Sequence, residues 1–160
     1  HWLTSYSEYV QDLEPWYEKN VGKDFVSFRR RILALLTKED ELNEIVKLIG
    51  GEVLPDEQKL VHEIARVLRL GFLQQNAYHP SDTYVPLAKQ LKMMETILYL
   101  YDKCAELINL SMPMSLLRED PVFEDVISIK YNVGNDEMDK FVAYHEKIDA
   151  FYHRLMEENA

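Results

Sequence analysis

Apolar residues recur along this chain in steps of three and four, the spacing that lines one face of an α-helix. From Leu60 onward they fall at Val61, Ile64, Val67, Leu68 and Gly71. From Leu91 they fall at Met94, Leu98, Tyr101, Ala105 and Ile108, and a second stripe runs through Met93, Ile97, Leu100, Cys104 and Leu107. A helix apolar on two sides is expected at the centre of a bundle. The last segment carries one stripe, through Met138, Phe141, Val142, His145, Ile148, Tyr152, Leu155 and Met156. No run alternates with period two over a useful length, so strands are not expected.

Start and stop signals divide this pattern. Ser5-Tyr6-Ser7-Glu8 fits a capping box, and Thr37-Lys38-Glu39-Asp40 fits one loosely, because Asp is shorter than Glu. Pro55 and Pro121 suit a first helical turn, where the missing N–H costs nothing. Asn135, followed by Asp136 and Glu137, marks a further start that the helix dipole favours. Stops are expected at Gly22, Gly50-Gly51, Gly71 and Gly134. The pattern predicts helices near 5–19, 24–36, 38–49, 55–70, 87–109, 121–131 and 136–158. The fold class is therefore all-α, a bundle of about six to seven helices with short loops, in a single domain over residues 1–160. Residues 71–86 break the pattern: they are polar, aromatic-rich and bracketed by Gly71 and Pro86. A connection this long between helices is more often functional than not.

Composition narrows the function. At 47% apolar residues the chain suits an ordinary core, and 18 basic against 28 acidic side chains leave a net charge of −10, a poor match for a phosphate backbone. Cys104 is the single cysteine, so no internal disulfide can form. On the two-striped helix it reads as a packing residue rather than a nucleophile. No stretch is apolar over the 18 or so residues a bilayer span needs, and no signal peptide opens the chain. There is no G-x-x-x-x-G-K-[ST] loop, and Gly50-Gly51 is followed by Glu52, which repels a phosphate. His62-Glu63 lacks a second His at zinc spacing, His145 reads as a satisfied core histidine, and Arg29-Arg30-Arg31 reads as helix surface. By these measures alone the chain is a helical domain with no complete catalytic apparatus.

Two segments are more specific. One is Gly71-Phe72-Leu73-Gln74-Gln75-Asn76-Ala77-Tyr78-His79-Pro80, followed by Asp82-Thr83-Tyr84 and Lys92-Met93-Met94. The other is Arg30-Arg31-Ile32-Leu33-Ala34-Leu35-Leu36, running into Asp40-Glu41-Leu42-Asn43-Glu44-Ile45-Val46. Together they resemble the C-terminal helical domain of the catalytic A (alpha) subunit of V-type and A-type rotary ATPases. His1-Trp2-Leu3-Thr4-Ser5-Tyr6-Ser7 and Leu13-Glu14-Pro15-Trp16-Tyr17 resemble that domain's start, so the likeness spans essentially the whole chain. The pattern is closer to the bacterial and archaeal branch than to the eukaryotic vacuolar one. A chain that opens on His1 rather than Met fits a domain cut from a longer subunit.

The resemblance implies a parent subunit with an N-terminal barrel and a central P-loop domain upstream. The phosphate loop, the Mg²⁺ ligand and the catalytic carboxylate would lie there, so the isolated chain is expected to be inactive and to bind ATP weakly or not at all. No catalytic residue, metal ligand or cofactor is expected in the chain itself; ATP or ADP with Mg²⁺ would bind the full subunit. Within the chain, the resemblance implies that the 71–86 segment closes one wall of the adenine pocket. Tyr78 is the first candidate to stack on the base and Phe72 the second, with Gln74, Gln75 and Asn76 offering amides to its edge. It also implies that Asp40, Glu41, Leu42, Asn43 and Glu44 touch the central rotor, because they match in position the acidic Asp-Glu-Leu lever of the related F-type beta subunit. This sequence departs from that lever after Leu42, which favours steric contact over a purely electrostatic push.

The implied partners are the non-catalytic B subunit, the central stalk rotor subunits and other A subunits of a hexameric ring. Nucleic acid and direct membrane insertion are not expected. The implied location is cytoplasmic, peripheral on the membrane through the rotary complex. Its function would be to couple ATP synthesis or hydrolysis to proton or sodium transport. Two other readings stay open at this point: a stand-alone helical interaction or adaptor module, and a small-molecule-binding bundle with the 71–86 segment as its lid.

Overall fold

The computed structural model describes residues 23–74 and 85–159. Among them there is no strand, and seven α-helices form the all-α bundle the periodicity predicts. The expected 5–19 helix lies outside the described residues.

Helix α1 runs unbroken over Lys23–Ile49, where two helices with a junction at Thr37 were expected. The reason is local. Neither Gly nor Pro occurs between Lys23 and Ile49, and Lys38 to Leu42 are mostly good helix formers. The loose capping box at Thr37 therefore lies inside a helix. The buried positions Phe25, Val26, Arg29, Ile32, Leu35, Leu36, Glu39 and Leu42 keep one register straight across it. Arg29 is buried rather than on the surface, with its guanidinium 5.4 Å from the centre of the Phe25 ring. Arg31 is half exposed and bonds Asp102 at 2.7 Å. Gly50, at φ +86°, ends the helix in a conformation that glycine adopts without strain.

A short 3₁₀ turn, Gly51–Val53, leads to α2 over Asp56–Leu68, which starts directly after Pro55. Helix α3 spans Leu87–Asn109, as predicted, and is buried on two sides by Met93, Met94, Ile97, Leu98, Leu100, Cys104 and Leu107. It packs against α1, α2 and the last helix, α7, at Phe141–Glu158. Cys104 is fully buried, and that burial pushes its thiol pKa up and keeps it protonated.

The end of α3 closes in a Schellman arrangement. Met112 N–H donates to the Leu107 carbonyl at 3.1 Å, and Ser111 N–H donates to the Ile108 carbonyl at 2.9 Å. Ser111 takes the left-handed position, φ +71°, that glycine usually fills.

Three short helices follow: α4 at Met114–Arg118, α5 at Val122–Ile127 and α6 at Ile129–Asn132. A single 121–131 helix does not form. At Ser128 the backbone opens to ψ −3°, and the Ser128 hydroxyl donates to the Asp125 carbonyl at 2.8 Å, a back-bond of the kind that bends helices. The start predicted at Asn135 is likewise replaced by a turn. Gly134 N–H donates to Glu137 Oε1 at 2.9 Å, a 3₁₀ turn follows at Met138–Lys140, and α7 begins only at Phe141.

Along α7 the buried stripe is Phe141, Tyr144, Ile148, Phe151 and Leu155, with Val142 turned out to solvent. His145 Nε2 lies 3.2 Å from Thr96 Oγ1. The Thr96 hydroxyl proton already serves the Lys92 carbonyl at 2.7 Å, so Nε2–H of His145 is the donor. The histidine is satisfied as expected from the sequence, but it is half-buried at the edge of the core rather than within it. Nearby, the Tyr99 hydroxyl donates to Asp149, and chiefly this bond, with burial, pushes the phenol pKa up to about 12.

Ser111→Gly is expected to stabilise the chain by about 0.5–1 kcal/mol, because it relieves a left-handed non-glycine residue without removing a buried contact. Urea unfolding followed by circular dichroism measures it; a variant no more stable than the parent would show that Ser111 is unstrained.

Candidate functional site

The chain enters the 71–86 segment through a widened helical turn. After Leu68 the backbone turns π-helical over Arg69–Leu73, and Gln74 N–H donates to the Arg69 carbonyl at 2.9 Å, five residues back. Gly71, expected to stop the helix, sits inside this turn instead. A Cβ on it would meet the Ile127 Cα at 3.1 Å and the Ile127 carbonyl oxygen at 3.3 Å, so only glycine lets the turn lie this close to the end of α5. Such single π turns often mark functional sites.

Two polar contacts pin the turn, and a third group holds the partner of the second in place. Arg69 Nη1 bonds Glu39 Oε1 of α1 at 2.5 Å, and the Glu39 carboxylate is buried, at 4% exposure. The Gln74 carbonyl accepts from Lys130 Nζ of α6. Buried Lys89, in the first turn of α3, donates to the Lys130 carbonyl at 3.2 Å, the Val133 carbonyl at 2.6 Å and Asn135 Oδ1 at 3.3 Å. Each ammonium thus meets acceptors at the frayed ends of short helices, which is what allows lysine to be buried at all. On the far side of the segment, Gln90 Nε2 donates to the Val85 carbonyl at 3.0 Å. Both described ends of the segment are therefore anchored to the bundle.

Of the adenine-side candidates, Phe72 is half-buried and packs partly on the core, while Gln74 is exposed. Gln75, Asn76 and Tyr78 lie outside the described residues. Of the rotor-side candidates, Asp40, Glu41 and Glu44 are exposed and Asn43 is half-buried. Leu42 is 2% exposed and belongs to the core. Glu41 lies 3.8 Å from Lys38 and Glu44 lies 3.6 Å from Lys47, both on the same helix. Pairs this exposed are screened and contribute little to stability.

Beyond Val46 the buried stripe of α1 ends, and the final turns carry apolar side chains that face solvent. Leu48 is 83% exposed and Ile49 63%, and Val53 on the following turn is 58% exposed. With Ile45 they form an apolar tip beside the exposed acids. These residues are not among those expected to touch the rotor. A partial signal was present, because Leu48 is apolar yet falls out of register with 35, 39 and 42, whereas Ile49, one heptad beyond Leu42, keeps the register and is exposed all the same.

Comparison with known proteins places the chain in a family. The family described as the C-terminal domain of V and A type ATP synthase matches residues 14–116. The chain belongs to this family. Similar proteins include V-type ATP synthase alpha chain 2 of Clostridium tetani, 44% identical over 158 residues, and the V-type ATP synthase alpha chain of Halothermothrix orenii, 42% identical over 157. The A subunit of the A-type ATP synthase of Methanopyrus kandleri is 36% identical over 158 residues. These alignments take in 98–99% of this chain but 27% of each relative, so the chain spans about a quarter of their length. For a member of this family, no helix among the described residues is long and apolar enough to cross a membrane.

Two outcomes are expected for the chain itself. Gly71→Ala should destabilise it by about 1–3 kcal/mol through overpacking against Ile127, while Gly51→Ala, with open space around its Cβ, should change stability by less than about 0.5 kcal/mol. Leu42→Ala should cost about 2–5 kcal/mol, whereas replacing Asp40, Glu41 and Glu44 together by Ala should cost about 1 kcal/mol or less. Denaturant midpoints measure both. Equal losses at Leu42 and the acids would mean that the acids are structural rather than available for docking.

Proposed function

We propose that this chain serves the catalytic A subunit of a V/A-type rotary ATP synthase or ATPase as the piece that links its nucleotide pocket to the rotor. The observation that carries this reading is the match of 99% of the chain to a V-type ATP synthase alpha chain. The geometry supports it, because the two segments at issue are the anchored π turn and the exposed tip of α1, and they belong to one packed body.

The anchored segment would close one wall of the adenine pocket. Tyr78 and Phe72 would stack on the base, and Gln74, Gln75 and Asn76 would meet its edge. An aromatic face suits a purine without needing charge. The phosphates and Mg²⁺ of bound ATP or ADP belong to residues of the parent subunit outside this chain. Among the described residues, no three or more carboxylates, imidazoles or thiols converge to hold a metal ion. The chain by itself is proposed to be inactive.

The tip of α1 would press on the central stalk. Leu48, Ile49 and Val53 supply shape and apolar surface, and Asp40, Glu41 and Glu44 supply a charged rim, which favours steric contact over electrostatic push. Nucleotide binding would swing the bundle as a rigid body and turn the rotor, and rotor position would in turn set nucleotide affinity, as linkage requires. The partners would be the B subunit, the stalk and other A subunits. The complex would sit on the cytoplasmic side of a membrane and move protons or sodium ions.

The test uses the full subunit in the assembled complex. Tyr78→Ala is expected to raise the KM for ATP by about 5- to 100-fold, the equivalent of about 1–3 kcal/mol of stacking, with a smaller rise for Phe72→Ala. Leu48→Ser with Ile49→Ser is expected to lower torque per ATP more than the combined Ala replacement of Asp40, Glu41 and Glu44. An unchanged KM counts against the pocket role, and unchanged torque in both tip variants counts against rotor contact.

A further inference from the structure

The link between the two segments is short. Glu39 directly precedes the Asp40–Glu44 stretch of α1, and Arg69 is the first residue of the π turn that carries Phe72 and Gln74. Their side chains meet at 2.5 Å, with the Glu39 carboxylate almost wholly buried and Arg69 about 29% exposed. Separating a buried carboxylate from its guanidinium strands a charge in a poorly solvated place, so the two backbones resist independent movement. The contact of Gly71 with Ile127 and the Lys130 bond to the Gln74 carbonyl stop the turn from slipping on its other sides. Arg66, one helical turn earlier, serves Glu63 and Glu124 instead, which leaves Glu39–Arg69 as the ion pair that joins α1 to this turn among the described residues.

We propose that the Glu39–Arg69 pair is the joint that makes the rotor-side end of α1 and the nucleotide-side π turn move as one piece. Both are positioning residues for energy coupling. This rests on the reading given under Proposed function. The pair touches neither nucleotide nor rotor; it fixes the angle between the parts that do. Losing it should leave hydrolysis running while rotor position and pocket state lose their correspondence.

The experiment uses the full subunit in the assembled complex, with Glu39→Gln, Arg69→Gln and the double variant. The readouts are the rate of ATP hydrolysis, the KM for ATP and the ions moved per ATP. Hydrolysis is expected to stay within about two-fold, while each single variant lowers ions per ATP by about five-fold or more. The double variant should be no worse than either single one, as residues acting as a unit require. Arg69→Lys, which keeps the charge, should restore much of the ratio; a merely structural role would not separate the ratio from the rate. If the Leu48→Ser with Ile49→Ser tip variant uncouples and the pair variants do not, the joint is overturned and the rotor reading stands. If neither set uncouples, both fall. A second measurement does not depend on assembly: hydrogen exchange in this chain carrying Glu39→Gln. Faster exchange at the Leu73 and Gln74 amides, with α7 unchanged, supports the joint; no local change overturns it.

Discussion

Burial of α3 on two faces is the constraint from which the rest of the bundle follows. A helix that hides Met94 and Leu98 on one side and Ile97, Leu100 and Cys104 on another cannot lie at a surface, so α1, α2 and α7 must enclose it. Once they do, the polar groups along its length need partners of their own. Thr96 bonds back to Lys92 and accepts from His145, and Tyr99 reaches Asp149. Lys89 in the first turn is forced inward, where three oxygen acceptors meet it. The end of α6 and the turn after it are in that sense held by the need to satisfy one buried ammonium.

Much of this was legible in the sequence. The two stripes of α3 and its limits at Leu87 and Asn109 agree with the expected helix, while of the last helix's stripe Phe141, Ile148 and Leu155 were legible and the buried Tyr144 and Phe151 were not. The misses share a cause, which is that side chains and close packing compete with periodicity. Thr37 looked like a cap, but nothing around it breaks a helix. Ser128 looked like an interior residue, but the backbone bends there and its hydroxyl bonds back to the Asp125 carbonyl. Gly71 looked like a stop, but it is there for the close approach to Ile127. Short-range pattern does not report what lies across from a residue in space.

The candidate sites divide in the same way. The resemblance placed them, and residue type suggested their chemistry, but neither reported which side chains face outward. Leu42 and Glu44 are neighbours in sequence, yet one is core and the other surface. The buried Glu39–Arg69 contact spans 30 residues and could not be read from spacing at all. Membership of the V- and A-type ATP synthase C-terminal domain family accounts for why both segments occur in one chain, and the packing accounts for how they are held in fixed relation.

The unbroken run of α1 has a mechanical consequence. At 27 residues it is about 40 Å long. Up to Leu42 it is gripped by its neighbours and Val46 still packs on the core, while its last three residues, 47–49, about 5 Å of helix, are exposed and unbraced. That is a cantilever. A sideways load on the tip is carried not by the tip but by the clamp, where the bending moment is greatest, and the clamp is the stretch that holds Glu39 and Leu42. A stiff beam with its root set in a core delivers displacement with little lost to flexing, whereas two shorter helices joined at Thr37 would have put a hinge close to where the beam must not bend.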